Sequence, residues 1–173
     1  MLLLTPLIQM KQNKLLLLDR DGVINHDPGD YTMSLGEFHI NPGVLEQLAH
    51  WTNEDYSIAI ITNQGGIAKG LYTLNDFLEI DAFMAAEFKT AGIAYLATYF
   101  CPHHESVSRC LCRKPRGGMI EKAMALHRGD YATSLMVGDK PRDVIAANEA
   151  GVRGMVIDVN QDLRTVKLPE IAR

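Results

Sequence analysis

Short continuous apolar runs alternate with longer amphipathic stretches along this chain, and that alternation gives the first structural expectation. Leu15-Leu16-Leu17-Leu18 has no polar break and runs straight into Asp19-Arg20-Asp21-Gly22-Val23. Such a run reads as a strand buried on both faces, as in parallel α/β sheets, although periodicity alone leaves a short buried helix open. Ser57 to Ile61, Ile93 to Phe100, Ser134 to Val137 and Gly154 to Ile157 are the further strand candidates. The helical period appears between them. Asn41-Pro42-Gly43 opens a helix with an N-cap and a first-position proline, and Val44, Leu45, Leu48 and Trp51 form its apolar face. Thr73 to Thr90 forms a second helix, with Thr73 as N-cap, Asp76 at the capping-box position, Phe77, Ile80, Met84 and Phe88 on one face, and Gly92 at its end. Met119 to His127 and Val144 to Ala150 complete the helices, the last one ended by Gly151. Ile24 to Ile40 is rich in turn residues and reads as an exposed loop beside the first strand's end. Strands and helices in this rhythm predict an α/β fold with a doubly wound, Rossmann-like parallel sheet and right-handed crossovers.

Length and charge narrow the picture. A chain of 173 residues fits one domain with its own core, assigned here to 15–173, with 1–14 as an N-terminal extension. Met1 to Ile8 is apolar but interrupted by Pro6, too short to span a bilayer, and lacks the order of a signal peptide. The formal net charge of -4 argues against nucleic acid or an anionic membrane as main partner, and a cytoplasmic monomer acting on a small molecule is the expectation. The three cysteines, Cys101, Cys110 and Cys112, lie close together, which suits a metal site in a reducing compartment better than a disulfide framework.

The candidate strands end in residues suited to chemistry: Asp19 and Asp21, Thr62 and Asn63, Cys101 and His103, Asp139 and Asp143. In open α/β sheets ligands bind at the carboxyl ends of strands, so these residues are expected at one edge of the sheet. Two neighbouring acids can hold a hard divalent cation or divide the work of nucleophile and general acid/base; two solvated acids at a strand terminus look the same in sequence. Taken singly, Thr62 reads equally as a helix cap, Lys114 as a surface cation and Asp143 as a first-turn acid. Cys101-x-His103 and Cys110-x-Cys112 supply three thiolates and an imidazole, a closed tetrahedral set for structural zinc, with His104 as a rival imidazole and metal-free buried cysteines as the bland alternative. Neither a G-x-S-x-G elbow nor a G-x-G-x-x-G fingerprint is present, so acyl and hydride transfer find no support.

Taken together, Asp19-Arg20-Asp21-Gly22-Val23, Thr62, Lys114 and Gly138-Asp139-Lys140-Pro141-Arg142-Asp143 resemble the four motifs of the haloacid-dehalogenase-type phosphohydrolases, over nearly all of the chain after Lys14. Within that superfamily, Thr62-Asn63-Gln64, Cys101-Pro102-His103, Cys110 to Pro115 and Gly138-Asp139-Lys140 resemble the heptose bisphosphate phosphatases, and the histidinol-phosphate phosphatases share most of the pattern. The resemblance implies that Asp19 attacks phosphorus to form an aspartyl-phosphate, and that Asp21 protonates the leaving alkoxide and later activates water. It implies magnesium held by the Asp19 and Asp139 carboxylates and the Asp21 backbone carbonyl, with Thr62 and Lys114 on the transferring phosphoryl group. Asp143 would hold Lys114 or a metal-bound water. The zinc loop would deliver Arg113 and Lys114.

The segments between Asp21 and Thr62 and between Thr62 and Lys114 are too short to add a cap domain once their helices are counted, so a minimal cap is expected. Specificity for a small phosphorylated sugar then falls to loop residues, with Asn25, Asp27, Asp30, Tyr31, Asn63, Gln64, Arg113 and Lys140 as candidates. Lys140 favours a bisphosphate, because it can meet a second phosphate. Histidinol-phosphate phosphatase is the rival enzyme. A catalytically silent, zinc-stabilised binding module is the rival of a different class, expected to have lost Asp19 or Asp21, and both are present.

Overall fold

A computed structural model describes residues 11–170. Five strands, β1 (Lys14–Leu18), β2 (Tyr56–Asn63), β3 (Tyr95–Cys101), β4 (Leu135–Gly138) and β5 (Arg153–Val156), alternate with four helices, α1 (Val44–Asn53), α2 (Leu74–Thr90), α3 (Gly118–Leu126) and α4 (Pro141–Glu149). All strand pairs are parallel, in the order β3-β2-β1-β4-β5. The order turns back at β1, whose neighbours on either side are β2 and β4, so the crevice between the carboxyl ends of β1 and β4 is a topological switch point.

The uninterrupted apolar run of β1 follows from that central place. Leu16 and Leu18 join a core shared with Val44, Leu48 and Trp51 of α1 and Ile80, Met84 and Phe88 of α2. Leu15 and Leu17 point the other way, into a second core with Ile120, Ala123 and Met124 of α3 and Ala146 and Ala147 of α4. Side chains alternate across a strand, so a strand covered on both faces has no position left for a polar residue. The apolar face expected for α2 is the buried one, and the Thr73–Asp76 capping box is formed in both directions.

Several boundaries differ from the sequence expectation. The sheet begins before Leu15: Lys14 pairs with Tyr56 and Asn13 bridges to Gly129, while residues 1–10 of the expected extension lie outside those described. Helix α1 starts at Val44, with Gly43 at φ 74° as its cap, because the Asn41 side chain is turned away to the Val23 carbonyl. Helix α4 starts earlier than expected, at Pro141, which places Arg142 and Asp143 in its first turn. The stretch from Ile24 to Ile40 is not uniformly exposed: Ile24, Asn25, Thr32 and Phe38 are buried, and Leu35–Glu37 forms one 3-10 turn. No inserted domain covers the carboxyl edge among the described residues. None of the described helices is long and apolar enough to cross a membrane.

Leu16 is fully buried, so Leu16→Ala is expected to lower the free energy of unfolding by about 2–5 kcal/mol, read by urea titration. Thr73→Ala removes one exposed cap and is expected to cost only about 1 kcal/mol, with turnover unchanged.

Candidate active site

The chain leaves β1 buried and turns sharply. Asp19 keeps one sheet bond, from its N–H to the Val137 carbonyl, after which the Ile24 and Asn25 N–H groups fold back to the Arg20 carbonyl. Gly22 sits at φ +84°, and a Cβ there would lie 2.7 Å from Asp139 Oδ2, so both conformation and space require glycine. The turn leaves Asp19 2% exposed, facing Asp139 and Asp143 from the end of β4 and the start of α4. One oxygen from each of these three carboxylates lies within 4.8 Å of the others.

Lys114 enters this acidic cluster as its counter-ion. Its Nζ is 2.9 Å from Asp19 Oδ2 and 2.7 Å from Asp143 Oδ1, and it donates to the Ile61 carbonyl at 2.6 Å. Burial pushes the Asp19 carboxyl up to about 6; Lys114 opposes the rise, and the Asp143 and Asp21 charges add to it. The backbone of Lys114 is pinned by Asn63, whose side-chain amide donates to the Lys114 carbonyl and accepts from its N–H, both at 2.9 Å. Thr62, at the end of β2 and 1% exposed, is a strand residue and caps no helix.

Asp21 is held differently. Arg20 donates to it through Nε and Nη2, Asn25 to Oδ1 at 3.1 Å and Gln64 to Oδ2 at 2.9 Å. Burial alone would raise its pKa, but the Arg20 charge and these hydrogen bonds together hold the carboxyl below the usual carboxylate range. Gln64 also donates to Thr62 Oγ1 at 2.8 Å and accepts the Tyr72 hydroxyl at 2.6 Å. The amides of Asn25, Asn63 and Gln64, candidates for substrate selection from sequence, bond to Asp21, Thr62 and Lys114; Asn25 and Gln64 are almost fully buried, and Asn63 and Gln64 also line the cleft.

An open cleft of about 250 Å³ lies over these groups, bordered by Asp21, Asp27, Tyr31, Arg113, Lys140 and Arg142, with Asp30 also on its wall. Lys140 is 2.6 Å from Asp139 Oδ2 and 3.0 Å from Asp27 Oδ2. Its pKa is raised: burial opposes this, but the Asp139 and Asp27 carboxylates prevail. Arg113 donates from Nη1 to the His103 carbonyl. Cys101, His103, Cys110 and Cys112 bring their ligand atoms within 4.8 Å of one another just behind Arg113. The sulfurs of Cys101 and Cys110 are 3.6 Å apart, those of Cys112 and Cys101 3.1 Å, and Cys112 Sγ is 3.4 Å from His103 Nδ1. His104 bonds instead to Ser106.

Three contributors escaped the sequence reading. Arg20 has no part of its own in the sequence motif, yet it is 1% exposed and lies near the Phe38 and Phe77 rings as the partner of Asp21. Tyr72, which orients Gln64, carries no local signal. Asn160, in a left-handed conformation at φ 58°, exchanges two hydrogen bonds with the Asp27 backbone and donates its own N–H to the Gly22 carbonyl. It straps the loop beside the cleft to the turn after β1 from 133 residues away, and only its type, asparagine, points to a left-handed turn.

Comparison with known proteins agrees with this geometry. A family profile described as HAD-hydrolase-like matches residues 111–165, the part that holds Lys114, Asp139 and Asp143. A D-glycero-beta-D-manno-heptose-1,7-bisphosphate 7-phosphatase of Helicobacter pylori is 37% identical over 157 residues, covering 90% of each chain. A D-glycero-alpha-D-manno-heptose-1,7-bisphosphate 7-phosphatase of Campylobacter jejuni is also 37% identical, over 87% of this chain and 85% of its own. The crystal structure of D,D-heptose 1,7-bisphosphate phosphatase from B. bronchiseptica, complexed with magnesium and phosphate, superposes with a TM-score of 0.80 at 34% identity, covering 92% of this chain and 90% of that one. The chain belongs to the heptose-1,7-bisphosphate 7-phosphatase family of HAD-like hydrolases.

Proposed function

We propose that this protein is a magnesium-dependent phosphomonoesterase that removes the 7-phosphate of a D-glycero-D-manno-heptose 1,7-bisphosphate through an aspartyl-phosphate on Asp19. The observation that carries the reading is the buried ammonium of Lys114 set between Asp19 and Asp143 at the switch point of the sheet. A carboxylate attacks an anionic phosphate poorly unless the charge around it is neutralised, and this arrangement places a fixed, buried cation beside the nucleophile at the floor of the cleft. Thr62 donates its hydroxyl to a phosphoryl oxygen. Asp21, ionised in its Arg20 fork, is set for deprotonating the hydrolytic water; protonating the leaving alkoxide requires its carboxyl to turn out of that fork.

The acidic cluster fits a hard divalent cation. Asp139 Oδ1 is buried with no partner, and Lys114 together with Lys140, which Asp27 shares, does not balance the three carboxylates of Asp19, Asp139 and Asp143. Magnesium held by Asp19, Asp139 and the Asp21 backbone carbonyl would supply the remaining neutralisation of the phosphoryl group. Three thiols and an imidazole fit structural zinc: bonds of about 2.3 Å in a tetrahedron put sulfurs about 3.8 Å apart, near the spacing found between Cys101 and Cys110. Zinc there stiffens the turn that presents Arg113 and Lys114. Arg113 and Lys140 face the part of the substrate remote from the reacting phosphoryl group, with Asp27, Asp30 and Tyr31 completing the wall of the cleft.

Assay of wild type with magnesium against heptose bisphosphates of both anomers, histidinol phosphate and an aryl phosphate tests the reading, which predicts the highest kcat/KM on a bisphosphate. Histidinol phosphate as the best substrate would overturn the heptose assignment and leave the phosphatase chemistry standing. Asp19→Asn is expected to abolish turnover with the fold retained.

The same variant has a signature in stability. The folded state holds the Asp19 proton to a higher pH than the unfolded chain does, so metal-free wild type is expected to lose up to about 3 kcal/mol as pH rises from about 4 to about 6. In Asp19→Asn the Asp19 part of that loss disappears, while the smaller part from the buried Asp81 carboxyl stays, as pH-dependent urea unfolding in EDTA would register. Elemental analysis of protein purified without chelator is expected to find zinc, and Cys110→Ser to lower both the melting temperature and kcat. Lys114→Ala is expected to damage turnover of every phosphate ester, and Arg113→Ala chiefly that of the bisphosphate, by about one to two orders of magnitude in kcat/KM.

A further inference from the structure

Arg142 is a cation that the chemistry above leaves unused. It follows Pro141 in the first turn of α4 and borders the same cleft as Arg113 and Lys140. Among the described residues no carboxylate forms an ion pair with it, and its Nε is shut off from solvent without a hydrogen-bond partner. Local structure gives no reason for this residue. The first turn of a helix carries unpaired N–H groups and the positive end of the helix dipole, so acids belong there, as Asp143 does one residue later. An arginine works against that field, and a guanidinium N–H withdrawn from water without an acceptor adds a desolvation cost. An anion in the cleft removes both penalties.

The neighbouring cations are unequal candidates for holding such an anion. Lys114 is committed to Asp19 and Asp143 below the cleft, Arg20 to Asp21, and Lys140 to Asp27 and Asp139. Arg113 and Arg142 are the two cleft arginines without a carboxylate partner among the described residues. Guanidinium groups suit phosphate because their N–H donors match its oxygens two at a time. We infer that Arg142 acts with Arg113 on the phosphate that stays on the sugar, and so helps set the preference for a bisphosphate over a monophosphate. This rests on the bisphosphate reading given above.

The test measures kcat and KM of wild type and Arg142→Gln on heptose 1,7-bisphosphate and on p-nitrophenyl phosphate, with melting temperatures of both proteins. The variant is expected to lose roughly 10- to 100-fold in kcat/KM on the bisphosphate, mostly through KM, and to stay within about twofold on the aryl phosphate. Its melting temperature is expected to hold or rise, since a cation has been removed from a helix N-terminus, and Arg142→Lys is expected to recover part of the loss. A merely structural arginine would lower the melting temperature and both activities together. Equal losses on the two substrates, or none on the bisphosphate, would overturn the inference alone. A wild type inert on the bisphosphate but active on the aryl phosphate would overturn the substrate reading and this inference with it.

Discussion

Lys114 carries a charged ammonium into a place without water, and the site is built around keeping that charge satisfied. Unpaired, such a group costs many kcal/mol of lost hydration. Here the ammonium lies within ion-pair distance of Asp19 and Asp143 and donates to the Ile61 carbonyl, which ties together the end of β1, the first turn of α4 and the end of β2. Each partner depends on the others. Removing Asp143 would leave Lys114 with Asp19 alone, and removing Lys114 would leave a cluster of buried carboxylates repelling one another. Gly138 belongs to the same arrangement, since a Cβ there would run into the Asp143 carboxylate.

A long side chain can serve as a fixed charge only if its backbone is also fixed. Asn63 does this from β2 through its paired hydrogen bonds, and Cys110 and Cys112 of the sulfur and imidazole cluster lie four residues or fewer from Lys114 in the chain. Arg113 shares that anchorage, because its guanidinium reaches back to the carbonyl of His103. Two cations therefore sit side by side on one turn. They differ in depth, Lys114 lying buried among acids and Arg113 facing the cleft.

What could be read from the sequence was what local chemistry determines. β1 was legible because a strand covered on both faces leaves no polar position, and α2 because Thr73, Asp76 and four spaced apolar residues define it within its own length. Family resemblance named the acids, Thr62 and Lys114. The amides of Asn25, Asn63 and Gln64 were harder, since an asparagine or glutamine near a cleft serves a ligand or a neighbouring side chain equally well. The side-chain partners they make could not be read locally, since those of Asn63 and Gln64 lie 51 and 43 residues away in the chain. Asn41 illustrates the local version of the problem: it has the look of a cap, yet its amide is drawn off to Val23.

The strand order has a consequence for how the chain comes off the ribosome. β1 is made first but occupies the centre, and its two flanks are supplied at very different times, β2 by residues 56–63 and β4 only by residues 135–138. A nascent chain that has produced β1 to β3 can assemble much of the core on the Leu16 and Leu18 side, which Leu135, Val137, Ile157, Leu163 and Val166 complete later, while Leu15, Leu17 and the Asp19 turn still lack their cover of α3, β4 and α4. The strap from Asn160 to Asp27 and Gly22 arrives later still. Synthesis at about 5–20 residues per second leaves this half-finished sheet, with one apolar face and one open edge, exposed for several seconds. Chaperone binding and co-translational aggregation in this fold are therefore expected to concentrate on that interval, and Asp19 is the first of the clustered carboxylates made and among the last to be enclosed.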